Sequence, residues 1–214
     1  MRLGTSLLLA VLVLGLRASI TAQPIFLDTD TRVPQGDGFP GDGYGDAVAL
    51  SADGRTAVVG APFSNGTAGA VHVFLKDGGA WTHVQRRSLS EAPPSGTGAT
   101  FGQAIAVSAD GSVIVVGAPF YRFDEGPTVA GGAFAFERGG DGRWTKTADL
   151  ITTNVRAFDV FYFDVALSDD GNRAVLSAVT ADPATARTTP TVLTFERAGG
   201  TWTVLVLDDD IVRN

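Results

Sequence analysis

The sequence predicts an all-β fold assembled from repeated four-stranded antiparallel units. Three observations predict it. The segment Tyr44 to Pro62 (YGDAVALSADGRTAVVGAP) returns as Phe101 to Pro119 (FGQAIAVSADGSVIVVGAP), and a worn third copy runs from Phe161 through Ser168-Asp169-Asp170-Gly171 to Ser177. The landmarks recur evenly: Ser51, Ser108 and Ser168 lie 57 and 60 residues apart, and Trp81, Trp144 and Trp202 lie 63 and 58 apart. No window of ten or more residues after the first twenty-two carries helical periodicity. Self-similarity at such a period signals stacked units that bury one another's faces.

Residues 1–22 read as a secretory signal: Arg2, an apolar run from Ser6 to Leu16, then Ile20-Thr21-Ala22 with a small residue at the cleavage position. The run is shorter than the roughly 20 apolar residues of a membrane span, and no later segment reaches that length. The expected location is therefore secreted or extracellular, periplasmic or cell-envelope in a bacterium. Residues 23–43 follow, with Pro24-Ile25-Phe26-Leu27 as a spare strand 20 residues before Tyr44, as Trp81 stands 20 before Phe101.

The first unit sets the pattern. Ala47 to Leu50 is a strand of small and branched apolar residues. Ser51-Ala52-Asp53-Gly54 closes it, because a glycine after Asp takes the positive φ of a tight hairpin. Thr56 to Val59 returns and stops at Gly60-Ala61-Pro62, where proline has no N–H for a ladder. A polar loop, Ser64 to Ala68, leads to a third strand from Ala70 to Phe74. Lys76-Asp77-Gly78-Gly79 turns the chain, and Trp81 to Val84 opens the fourth strand. The repeats span about 44–100, 101–160 and 161–207, and an acidic tail, 208–214, begins with Asp208-Asp209-Asp210. Four antiparallel strands repeated without helices describe the blade of a β-propeller. Small residues suit the crowded inner strands, and Phe and Trp the wider outer ones.

Tyr44-Gly45 and Phe101-Gly102, followed by Gly60-Ala61-Pro62 and Gly117-Ala118-Pro119, resemble the FG-GAP repeat, which builds the β-propeller of integrin α chains and occurs in many secreted proteins. In the third copy Tyr162 replaces the glycine, and Ser177-Ala178-Val179 replaces Gly-Ala-Pro. The resemblance implies ligand binding on the loop face and a calcium loop between the first two strands. Calcium is not carried over. The turns at Asp53 and Asp110 hold one acid each, and Asp169-Asp170 still lacks the last ligand of the family's loop, against the six to eight oxygens calcium takes. No cofactor is expected, and these aspartates read as turn formers.

Composition excludes further classes. Removing residues 1–22 takes Arg2 and Arg17 and no acid, so 14 Lys and Arg remain against 23 Asp and Glu, a formal charge of −9. That repels nucleic acid and anionic membranes. There is no cysteine, hence neither disulfide nor thiol chemistry. No Gly-x-Ser-x-Gly elbow exists. His72 aligns with Phe134 and Leu193, an apolar position, and His83 with Lys146 and Val204, an outer position expected to be solvated. Asp28 and Asp30, and Asp37, Asp42 and Asp46, read as solvated loop acids rather than a metal site.

The longest loop of the ligand face is Phe120 to Pro127. Tyr121, Arg122, Phe123 and Asp124 combine aromatic and charged groups of the kind enriched in binding hot spots. Asn65-Gly66-Thr67 is a glycosylation acceptor in a eukaryotic host. The expected function is a secreted, non-catalytic module that binds a protein or glycan through this face. The alternatives are an enzyme-associated propeller of hydrolase or lyase type, or a structural envelope repeat. Three units fall short of the usual four to eight blades. The outer faces of the first and last sheets are thus expected to lie uncovered, with pairing to a second copy as one way to complete the ring.

Overall fold

The computed structural model describes residues 41–89, 98–121, 131–150, 164–182 and 187–206, all within one compact unit, residues 32–214. The signal segment, the spare strand at 24–27, Arg122 to Asp124 and the acidic tail lie outside the described residues.

Twelve strands form three four-stranded antiparallel sheets, each in simple chain order. The first contains β1 (Val48–Leu50), β2 (Thr56–Ala61), β3 (Ala70–Asp77) and β4 (Ala80–Arg87). The second contains β5 (Ala104–Val107), β6 (Val113–Ala118), β7 (Gly132–Arg138) and β8 (Trp144–Leu150). The third contains β9 (Asp164–Leu167), β10 (Arg173–Asp182), β11 (Arg187–Ala198) and β12 (Thr201–Val206). Among the described residues helix is limited to one turn, Ser64–Thr67, where a polar loop was expected; Asn65 and Gly66 inside it are left-handed. These are propeller-type blades in an incomplete arc. Their inner strands β1, β5 and β9 stand side by side.

Each sheet is two-faced. Toward the preceding sheet it turns bulky groups, as the second does with Ile114, Phe134, Phe136 and Trp144. Toward the following sheet it turns small ones: Val58, Val71 and Val73 from the first, and Val115, Ala133 and Ala135 from the second. Alternation along each strand divides the two sets, since successive side chains point to opposite faces. Bulky on small packs closely without voids, so the arc has a direction.

The repeated glycines mark where two sheets touch. A Cβ on Gly60 would stand 2.1 Å from the Gly102 carbonyl oxygen, one on Gly69 2.2 Å from that of Phe101, and one on Gly102 2.5 Å from that of Ala70. The Phe-Gly of one unit thus lies against the strand ends of the unit before it, with backbone on backbone. Phe101 is fully buried, its ring 5.9 Å from those of both Phe134 and Phe136.

One expectation about the faces is corrected. The outer face of the first sheet is not bare: Ala57, Val59, His72 and Phe74 are buried. Tyr44 and Trp81 pack on this cluster, with the Tyr44 ring 5.2 Å from that of His72. Among the described residues the inner strand stays the most open there, at Val48 and Leu50. The outer face of the third sheet does lie exposed, at Val175, Val192 and Leu205.

Candidate functional site

The acids of the hairpins are committed to the backbone. Ser51 Oγ donates to Asp53 Oδ1 at 2.5 Å and accepts the Thr56 N–H at 2.9 Å. Asp53 Oδ1 also accepts the Arg55 N–H at 2.9 Å. The arrangement recurs at Ser108 with Asp110, Ser112 and Val113, and at Ser168 with Asp170, Asn172 and Arg173. Bonds to the charged form favour it. The Ser51 hydroxyl, then the Arg55 N–H, hold the Asp53 carboxyl below its ordinary value. Asp110 is lowered by the Ser112 N–H and then Ser108, and Asp170 by Ser168 and then the Asn172 N–H. One carboxylate oxygen of each turn aspartate is thereby engaged by donors of its own hairpin. The serine was the legible signal here, being repeated as faithfully as the aspartate.

The hairpins also step from sheet to sheet. The Asp53 N–H donates to the Ala109 carbonyl at 3.3 Å, and the Ala109 N–H to that of Asp169 at 2.9 Å. Gly111 nests on Thr56, and Gly171 on Val113.

The two histidines meet, which their separate alignments did not suggest. His72 Nδ1 and His83 Nε2 are 3.2 Å apart, and His83 is half-buried against Phe74 rather than solvated. Strand pairing sets this up, since Phe74 faces His83 across β3 and β4. No cluster of three or more His, Asp or Glu fit to hold a metal occurs among the described residues. Asp42 and Asp46 flank the Tyr44 turn; the Asp46 carboxylate lies over Gly43, where a Cβ would be 2.6 Å from its Oδ2.

Of the loop residues singled out in the sequence, Tyr121 alone is described. Tyr121 packs edge-on against Phe134, centroids 5.1 Å apart, and joins the core between the first two sheets. Phe120 is 39% exposed and Phe63 41%. Each phenylalanine directly follows a Gly-Ala-Pro, so they occupy equivalent places on neighbouring sheets. The signal was that register. The Phe63 N–H donates to the Asp42 carbonyl at 3.0 Å and the Phe120 N–H to that of Ala99 at 3.3 Å, which anchors both backbones. Asn65, two residues beyond Phe63, is exposed with φ of 53°.

Residues 32–74 match the model of the FG-GAP repeat. The chain carries an FG-GAP repeat there. No curated protein matches it. Among solved structures, Kuenenia stuttgartiensis hydrazine synthase is 20% identical, with a TM-score of 0.48, over 78% of this chain and 43% of its own. The Pseudomonas aeruginosa periplasmic gluconolactonase PpgL is 14% identical with a TM-score of 0.41, over 75% and 56%. The tricorn protease is 12% identical with a TM-score of 0.40, over 72% and 14%. This chain therefore spans less than two thirds of each of these proteins. No helix among its described residues is long and apolar enough to cross a membrane.

Proposed function

We propose that this FG-GAP protein is a secreted, non-catalytic module that binds a protein or glycan through the loop end of its first two sheets. The observation that carries the reading is the pair Phe63 and Phe120. Two aromatic rings stand exposed at equivalent rim positions on backbones tied down by hydrogen bonds. Flat aromatic faces on a rigid rim stack on sugar rings or fill a pocket of a protein partner, at little entropy cost. Tyr121 supports the rim from beneath, and Arg122, Phe123 and Asp124 continue the chain beyond it. The same reading has no metal or other cofactor taking part.

Glycan and protein arrays probed with the purified chain test this. The double variant Phe63→Ala and Phe120→Ala is expected to weaken binding at least about tenfold while the chain stays folded with a modestly lowered melting temperature, because neither ring belongs to the core clusters. Undiminished binding by that variant, or silence of the native chain on both arrays, contradicts the proposal. Asn65 is an acceptor for N-glycan beside the same rim in a eukaryotic secretory host. A glycosidase-sensitive mass increase that Asn65→Gln abolishes is the expected signature.

A further inference from the structure

The arc exposes one broad sheet face, and the chemistry of that face singles out its occupant. Toward a following sheet, the first two blades offer Thr56 and Val113, both 2% exposed, as seats for the next hairpin glycine. In the third sheet the equivalent residue is Arg173, whose Nε lies 3.1 Å from Glu196 Oε1 with both side chains largely exposed. Beside the pair, where a following hairpin would be seated, is a cleft of about 580 Å³ lined by residues including Ser168, Asp170 and Thr203. Next to it lie the exposed apolar groups Ala166, Val175, Val192 and Leu205. A further blade of this type would have to displace the Arg173 side chain to dock. An apolar patch bordered at one end by a positive and a negative group side by side is complementary to itself turned by a half-rotation about an axis running between the two.

We propose that the outer face of the third sheet pairs with the same face of a second copy in a two-fold dimer, Arg173 of each chain meeting Glu196 of the other. This differs from closure of a six-sheet ring. A ring needs the first sheet's outer face as its second contact, and that face is already covered except for the strip at Val48 and Leu50. A same-face contact closes on itself and stops at two. Four strands about 4.8 Å apart and about five residues long cover roughly 300 Å² on each partner, which places the dimer at the weak end of specific association.

Sedimentation from about 10 µM to about 1 mM, the range where so small an interface associates, reads the mass. The native chain is expected to rise toward twice its monomer mass, and Val48→Lys to do the same. Val192→Lys is expected to remain at one. Arg173→Glu and Glu196→Arg should each stay monomeric alone, because like charges then face each other, and should recover dimer when mixed. That mixture separates a contact between copies from the ion pair within one, and it stands even if Val192→Lys fails to fold. A native chain that stays monomeric at about 1 mM, association by Val192→Lys equal to the native chain's, or failure of the mixture to pair overturns the proposal.

Discussion

The seam between the first two sheets and the seam between the second and third are built on one plan but held differently. In the first, Trp144 is fully buried and every polar group of it is satisfied. Its indole N–H donates to the Gly111 carbonyl at 3.0 Å, its backbone N–H to Gln85 Oε1 at 2.9 Å, and its carbonyl accepts Gln85 Nε2 and Arg87. Arg138 lies over its ring at 4.8 Å. In the second seam Ala148 and Leu150 stand where Gln85 and Arg87 stand in the first. Trp202 packs on the core, yet its buried indole N–H has no hydrogen-bond partner among the described residues. The outer strands of this seam are bridged instead by an ion pair between Arg197 and Glu137. The β-bulges of β3–β4 and β7–β8 have no counterpart in the β11–β12 register. A blade can keep its hairpin and core while losing the clamp that fixes its outer strand, and the third has done so.

Substitutions at matched positions sharpen this difference. Trp144→Ala is expected to cost about 3–5 kcal/mol in denaturant unfolding, through cavity formation and orphaned clamp groups; Trp202→Ala should cost clearly less. Gly60→Ala forces a methyl group onto the Gly102 backbone and should cost about 3 kcal/mol or more. The equivalent third-sheet residue is already Ser177, and Ser177→Gly should move stability little. Trp144→Phe leaves buried partners unmet at about 1–3 kcal/mol, whereas Trp202→Phe deletes an unmet donor and should be neutral or stabilising. Ser108→Ala, at a fully buried hydroxyl, should cost about 1–3 kcal/mol, and Ser168→Ala, at the exposed hairpin, less.

The smallest effect is on acid stability. The folded-state pKa of Asp53, Asp110 and Asp170 lies below the ordinary value of 3.8. Their contribution is therefore complete above that value and is lost as pH falls through the lower, folded values. Replacing all three by Asn should flatten the acid limb of a melting-temperature profile below about pH 4 and leave neutral pH less affected.

Strand order, the Asp-Gly hairpins and the packing role of the large aromatics were legible because they depend on local pattern. Gly54, Gly111 and Gly171 do take positive φ. What escaped reading depends on contacts between distant residues. Gln85 meets Trp144 across 59 positions, His72 meets His83 only through the strand register, and Tyr44 covers a face expected to be bare. The worn motif of the third copy has a physical reading as well. Glycine is required at Gly60, where the following Phe-Gly presses on it; the equivalent Ser177 lies on the face left open, while Ala178 stays in the core. At the loop end, the sequence did not show that the candidate Tyr121 would reach Phe134 and pack in the core.

Native-state hydrogen exchange reads the two seams side by side. The amides of β6 and β7, held between both neighbours by the Trp144 clamp, are expected to exchange most slowly and only by global unfolding. Those of β9 to β12 should open earlier, as one cooperative unit. Equal protection across the three sheets, or a third sheet that outlasts the second, would contradict the account.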